Sequence, residues 1–109
     1  MNINEYKKWL VDFYKKRNWY DYNTFIRVNF LTEEVGEVSR AVRSLEIGRD
    51  RPDEETKSEV HYKENLMEEL GDVLDNIIIL ADKYDISLDE IMNYHKNKLE
   101  ERFKMLNNN

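Results

Sequence analysis

Residues 66–81, LMEELGDVLDNIIILA, decide the fold of this 109-residue chain. Apolar residues recur in this stretch at alternating spacings of four and three, which is the period of one face of an α-helix. The seam consists of Leu66, Leu70, Val73, Ile77 and Leu80. The last part of the stretch is apolar on nearly every side, and a single small bundle covers such a helix poorly. We therefore expect an all-α chain that associates with further copies of itself, as a homodimer or a dimer-based tetramer.

The rest of the chain predicts three further helices around this one. The four helices are expected at about residues 3–16, 23–47, 63–83 and 87–105. The second helix carries an apolar seam that includes Val28, Val35 and Val42. Asn23 suits the N-cap position of that helix, and Ser87 with Glu90 matches a capping box for the fourth.

One segment interrupts the helical pattern. Residues 48–62 contain a glycine, the single proline of the chain and many charged side chains. Such a composition is typical of a turn or loop. We expect a mobile charged loop there, inside a chain that forms one domain from residue 1 to residue 109.

The composition excludes several classes of function. The chain has no cysteine, so thiol catalysis, disulfides and zinc–thiolate sites are excluded. The net charge of −6 argues against binding to polymeric nucleic acid, which needs a basic surface. There is no apolar N-terminal run or spanning segment, so we expect a cytoplasmic protein without a membrane partner.

Two related hexapeptides carry the candidate chemistry. They read EEVGEV at residues 33–38 and EELGDV at residues 68–73. Each contains a glycine, which costs about 1 kcal/mol relative to alanine inside a helix. We interpret the two glycines as positions where a ligand or another backbone comes close.

Each hexapeptide also sets two acids three residues apart, Glu34 with Glu37 and Glu69 with Asp72. Each pair occupies a stripe beside the apolar seam of its helix. If the second and third helices pack antiparallel, the two stripes face each other. Carboxylates that face one another repel unless a cation lies between them.

The absence of other ligand types indicates which cation this is. Zinc sites use histidine or cysteine, and di-iron bundles use Glu-x-x-His, which neither His61 nor His95 completes. Carboxylate oxygens are the ligands of magnesium, with manganese as a substitute. The sequence therefore predicts a Mg²⁺ site, and with it phosphate chemistry. Its ligands are Glu34, Glu37, Glu69 and Asp72.

The doubled acidic motif on two helices of an all-α chain resembles the MazG-like nucleoside triphosphate pyrophosphohydrolases. The resemblance extends from about residue 25 to residue 103, and residues 98–103, KLEERF, add to it. Two features depart from the family's pattern. The 31 residues between Glu37 and Glu69 are more than is usual in compact members, and His95 and Lys96 stand where an asparagine is often found.

This resemblance implies a reaction and roles for named residues. The enzyme would cleave a nucleoside triphosphate between the α- and β-phosphates, releasing a monophosphate and pyrophosphate. Glu33 or Glu37 would accept the proton of the attacking water. Lys98 and Arg102, one turn apart, would bind the outgoing pyrophosphate. In the alternative interpretation, the two cations only stabilise the C-terminal end of the helix through its dipole. The remaining expected substrate contacts are Phe30 and Trp19, for the base, and Asn76, which extends the second acidic stripe.

Two other functions stay open at this point. One is a magnesium-dependent hydrolase of another phosphorylated metabolite, such as a phosphoribosyl-ATP-like compound. The other is a non-catalytic helical interaction module whose acids face solvent or pair with a partner. His95 lies on the predicted seam of the fourth helix, and we expect it to be a packed core histidine.

Overall fold

The computed structural model describes residues 1–48, 52 and 57–107, which form four α-helices and no strand. The helices are α1 (Ile3–Lys16), α2 (Thr24–Ile47), α3 (Glu59–Lys83) and α4 (Leu88–Asn107). The prediction of an all-α chain is therefore confirmed. None of the helices in these ranges combines the length and the apolar character that a membrane span requires.

The start of α3 differs from the predicted one by about a turn. The helix begins at Glu59 rather than near residue 63, because Ser58 caps it: the Ser58 hydroxyl accepts a hydrogen bond from the His61 N–H at 3.2 Å. The loop predicted at residues 48–62 was thus too long at its C-terminal end. Residues 49–51 and 53–56 of that loop lie outside the described residues.

Side-chain caps begin α2 and α4 as the sequence indicates. The Asn23 side-chain oxygen accepts from the Ile26 N–H at 2.9 Å. The Ser87 hydroxyl accepts from the Glu90 N–H, and the Glu90 carboxylate accepts from the Ser87 N–H, both at 3.1 Å. Each contact satisfies a backbone donor that the first helical turn leaves free.

Helices α2 and α3 pack antiparallel, and this pairing positions the site described below. The Tyr84 hydroxyl, just past the end of α3, lies 3.0 Å from Thr24 Oγ1 at the start of α2. Further along, Arg27 of α2 contacts Asn76 of α3. Helix α1 lies against α3 and closes a small core. The core consists of Leu10, Ile78, Ile79 and Leu88, packed with partly buried tyrosines of α1.

The apolar seam predicted for α2 faces the interior of the single chain only in part: Leu31, Val38 and Leu45 are partly buried, and its three valines are more exposed. Val28, Val35 and Val42 are 43–52% exposed, whereas Arg27 and Ala41 are buried. The buried stripe lies one residue away from the predicted seam, a rotation of about 100°. The same holds in part for α3, where Leu70, Leu74 and Ile77 keep 40–50% of their surface exposed. A broad apolar surface therefore remains on the outside of the chain.

His95 is also not the core residue that its position on the seam predicts. It is exposed on α4, in a shallow apolar groove with Ile91, Met92 and Leu99. The reason is that α4 makes few contacts with the other helices beyond Leu88. Its apolar face has no partner among the described residues of the single chain.

Candidate functional site

Three carboxylates from α2 and α3 form one cluster. An oxygen of Glu34, one of Glu69 and one of Asp72 all lie within 4.8 Å of one another, and each side chain is partly buried. The three-residue spacing puts Glu69 and Asp72 on the same face of α3, and the antiparallel packing brings Glu34 opposite them. Oxygen-only donors at this separation can hold a hard divalent cation. The structure thus brings together three of the four acids that the sequence indicates as metal ligands.

Glu37 and Glu33 lie beside this cluster. The Glu37 side chain is partly buried, and its charge contributes to the raised pKa of both Glu34 and Glu69. Glu33 is exposed. Of the three clustered acids, only Glu34 has a pKa that the charge of Glu33 helps to raise. Glu37 is therefore near enough to act with the cluster, although it is not one of the three grouped ligands.

The carboxylates of the cluster have raised pKa values, as expected where negative charges lie close together without a cation. Burial is the main cause of the raised pKa of Glu34, Glu69 and Asp72. Neighbouring carboxylates add to each rise: Asp72 for the pKa of Glu34 and of Glu69, and Glu68 for that of Asp72. The ionised state is thus costly in the protein alone, and a bound cation would relieve that cost.

A cavity of about 340 Å³ adjoins the cluster, and Glu34 and Asp72 form part of its wall. This volume is in the range of about 300–1,000 Å³ that small-molecule sites occupy. Most of the remaining wall is aromatic. The aromatic residues are Tyr14, Trp19, Tyr22 and Phe30.

A buried polar pair completes the cavity wall. Arg27 is 4% exposed and Asn76 is 5% exposed. One guanidinium nitrogen of Arg27, Nη1, donates to Asn76 Oδ1 at 3.0 Å, and the other, Nη2, donates to the Trp19 carbonyl at 2.7 Å. Asn76 Nδ2 in turn donates to the Asp72 carbonyl at 2.9 Å. The pair therefore links the aromatic part of the cavity to the backbone beneath the acidic cluster.

Some of these residues follow from the sequence and others do not. Trp19, Phe30 and Asn76, which the sequence indicates as substrate contacts, all line the cavity. Arg27 was not singled out, although it precedes Glu34 by seven residues, which is two helical turns along the same stripe. Tyr14 comes from α1, and no spacing relates it to the acids.

Lys98 and Arg102 lie elsewhere. Both are exposed on α4, and neither lines the cavity. The Lys98 ammonium lies over the Tyr94 ring, 5.4 Å from its centroid. Contact of these two cations with pyrophosphate stays a prediction.

The glycines of the two hexapeptides are not crowded in the single chain. A Cβ atom added at Gly36 or at Gly71 would meet no atom within 4 Å among the described residues. The close approach that we expected from these glycines is therefore not made by the described residues of the chain.

An all-α fold that sets a carboxylate cluster against an aromatic cavity can hold a divalent cation beside an aromatic ligand group. Comparison with known families identifies the class of protein. The family model described as "MazG nucleotide pyrophosphohydrolase domain" matches residues 26–106. The chain belongs to this family, which confirms the resemblance seen in the acidic motifs.

Among curated proteins, the chain is similar to one of Bacillus subtilis (strain 168) that bears the name "Uncharacterized protein YvdC". The two are 53% identical over 104 residues, which cover 95% of this chain and 98% of that protein. That name states no activity. No solved structure matches the chain significantly.

Proposed function

We propose that this protein is a magnesium-dependent nucleoside triphosphate pyrophosphohydrolase. It cleaves a ribo- or deoxyribonucleoside triphosphate between the α- and β-phosphates and releases the monophosphate and pyrophosphate. One observation carries the proposal: in a chain of the MazG family, two of the three clustered acids, Glu34 and Asp72, form part of the wall of an aromatic cavity. A single nucleotide can therefore place its phosphates at the acids and its base among the rings.

The donor set supports magnesium, with manganese as the substitute. Glu34, Glu69 and Asp72 offer only oxygen atoms, and burial, together with the neighbouring carboxylates, raises their pKa values. When bound, the ion would neutralise phosphate charge and lower the pKa of a coordinated water. Glu37, beside the cluster, is proposed as the fourth ligand.

The proton of the attacking water needs an acceptor. Glu37 is partly buried next to the cluster, whereas Glu33 is exposed. Burial favours Glu37 for this role when it is not ligating the ion, and Glu33 is the alternative acceptor.

The aromatic cavity is proposed as the site of the base. Trp19 and Phe30 are 42% and 39% exposed, so their rings offer apolar surface to a ligand. A flat base can stack on such a ring, a contact worth about 1–3 kcal/mol in nucleic-acid complexes. Lys98 and Arg102 are proposed to bind pyrophosphate. Because they do not line the cavity of the single chain, this role requires that assembly with a second copy changes the position of α4.

The assembly is proposed to be a homodimer or a dimer-based tetramer. The exposed valines of α2, the exposed apolar residues of α3 and the apolar groove of α4 support this proposal. Large exposed apolar patches mark interaction sites on proteins.

A nucleotide panel in the presence of Mg²⁺ tests the reaction. Phosphate is measured with and without added inorganic pyrophosphatase, for each common triphosphate. We expect phosphate to appear only when pyrophosphatase is present, and the nucleotide product to be the monophosphate. The inactive control is Asp72→Asn.

The other outcomes are equally informative. Phosphate release without pyrophosphatase, together with a diphosphate product, would contradict cleavage between the α- and β-phosphates. If only a phosphoribosyl-ATP-like compound is hydrolysed, the proposed substrate class is wrong and the protein is a hydrolase of that other metabolite. If no compound is cleaved and Mg²⁺ does not stabilise the fold, the chain is a helical interaction module instead.

A further inference from the structure

The buried polar side chains identified in the described chain, Arg27 and Asn76, both line the same cavity. Burying a polar group is costly unless it is hydrogen-bonded, so such a pair has to be explained by its contacts. The contacts of this pair determine which kind of ligand group can lie against it.

The orientation of the Asn76 amide is fixed from both sides. Its Oδ1 accepts from the Arg27 guanidinium at 3.0 Å, and its Nδ2 donates to the Asp72 carbonyl at 2.9 Å. A guanidinium only donates and a backbone carbonyl only accepts hydrogen bonds. In the flipped amide, the NH₂ group would face the guanidinium donors and the oxygen would face the Asp72 carbonyl, so both hydrogen bonds would be lost. The second N–H of Asn76 therefore has no acceptor among the described residues, while the side-chain oxygen lies against a positive charge.

Arg27 adds further donor capacity and no acceptor. Its two described acceptors, Asn76 Oδ1 and the Trp19 carbonyl, are neutral. Its Nε is buried and has no hydrogen-bond partner among the described residues. The guanidinium carbon also lies 5.2 Å from the Tyr14 ring centroid and 5.6 Å from that of Phe30, within cation–π range. The cation is thus held by neutral groups next to the surface proposed for base stacking.

We propose that the Arg27–Asn76 pair selects nucleotides whose base presents a carbonyl oxygen, rather than an amino group, at its exocyclic position. The favoured substrates are 4-oxopyrimidine and 6-oxopurine nucleotides. A carbonyl oxygen accepts from the donors of the pair, whereas an amino group would bring a donor against donors. This inference rests on the proposed function, because it takes the ligand of the cavity to be a nucleotide.

Binding of matched ligands tests the selection without requiring turnover. Isothermal titration calorimetry in Mg²⁺ compares the α,β-methylene analogues of dUTP and dCTP, and separately those of ITP and ATP. Within each pair the ligands differ in the oxo or amino group and the adjoining ring nitrogen. We expect the oxo member of each pair to bind at least about tenfold more tightly. A site whose polar groups hydrogen-bond one ligand group discriminates strongly against a ligand that cannot form those bonds.

Two substitutions locate the selection. Arg27→Gln removes the charge and allows Asn76 to turn, so the affinity ratio within each pair should fall towards one. Phe30→Leu is the matched control: it weakens stacking, so both members of a pair should lose affinity while their ratio stays unchanged. If Arg27→Gln does not fold, Asn76→Asp takes its place, because it removes the N–H with little change in shape and should also lower the ratio.

The outcomes separate this inference from the proposed function. Equal affinities within the pairs, tighter binding of the amino members, or no binding at all would overturn the selection. Cleavage of all triphosphates with equal affinities contradicts the selection alone and leaves the reaction standing. Selective binding of the oxo members without any cleavage supports the selection and contradicts the reaction.

Discussion

The Tyr6 hydroxyl of α1 donates to Asp75 Oδ1 of α3 across 2.5 Å. Asp75 lies three residues after Asp72 of the acidic cluster and directly before Asn76 of the cavity. Burial, followed by the hydrogen bond to Asp75, raises the pKa of the Tyr6 phenol above its ordinary range, so the phenol stays a donor. This contact therefore fixes α1 against the segment of α3 that carries the site.

Removal of that hydroxyl should destabilise the protein. Tyr6→Phe leaves the half-buried Asp75 carboxylate without its donor, and loss of a hydrogen bond to a charged group costs about 1.5–3 kcal/mol. We expect the free energy of unfolding, measured by urea denaturation, to fall by about 1–2 kcal/mol because the site is only partly buried. Tyr94→Phe is the control, since Tyr94 is 67% exposed on α4. Equal stability of the two variants would show that the contact contributes nothing.

The position of the acids was predictable because it depends on helical periodicity and on one assumption, that the second and third helices pack antiparallel. Three-residue spacing and antiparallel packing are sufficient to bring Glu34 opposite Glu69 and Asp72. Arg27 was not predictable, because burial of a charged side chain follows only from the combined packing of α1, α2 and α3. The exposure of the valines of α2 was not predictable for a related reason. The polar stripe and the apolar seam of this helix are one residue apart, and hydrophobic periodicity does not say which of them faces the interior of the chain.

The acidic cluster should bind Mg²⁺ and require it for turnover. An ion that binds only the folded state raises the melting temperature by an amount that grows with the ion concentration relative to its Kd. We expect Mg²⁺ to raise the melting temperature of the wild-type protein, and we expect no such effect in Glu34→Gln or Asp72→Asn. Both variants should fold and lose more than about 100-fold in pyrophosphate release, since even residues outside the metal's ligand shell cost 10–100-fold.

The control for these variants is Glu64→Gln, which removes an exposed acid of α3 away from the cluster. It should keep both the magnesium effect and the activity. A magnesium effect that survives in Asp72→Asn would show that the ion binds elsewhere.

The stability of the metal-free protein should fall as pH rises above the ordinary carboxyl range. The folded-state pKa values of Glu34, Glu69 and Asp72 are raised, chiefly by burial, above the ordinary carboxyl values of about 4. The folded state therefore holds more protons than the unfolded state between those values, and stability decreases with pH in that window. Below the ordinary values both states are protonated, so this contribution is fully present there.

Urea denaturation from pH 4 to pH 8 in EDTA measures this dependence. Glu34→Gln should flatten it and stabilise the metal-free protein at pH 8, and saturating Mg²⁺ should flatten it in the wild type. Glu64→Gln should leave the slope unchanged. A wild-type stability that rises across the window would contradict the electrostatic account of the cluster.

The exposed apolar surface of α3 should be covered by a second copy. Leu74 is 40% exposed in a part of α3 that is apolar on nearly all sides. Analytical ultracentrifugation should find the wild type as a dimer or tetramer, and Leu74→Glu should shift it towards the monomer. Asn93→Glu adds the same charge at an exposed polar position of α4 and should not change the mass. A monomeric wild type would contradict the proposed assembly.

The glycines predict opposite effects of the same substitution at two positions. At Gly36 a Cβ atom would meet nothing within 4 Å among the described residues, so Gly36→Ala should stabilise α2 by about 1 kcal/mol through helix propensity. At Gly48, the C-cap of α2, φ is +76° and ψ is −144°, a region close to the one that is essentially restricted to glycine and that costs an L-residue about 1–3 kcal/mol. Gly48→Ala should therefore destabilise the protein, and urea denaturation of both variants measures the difference. A loss of stability in Gly36→Ala, together with a loss of the higher mass, would instead show that the backbone of a second copy packs against this glycine.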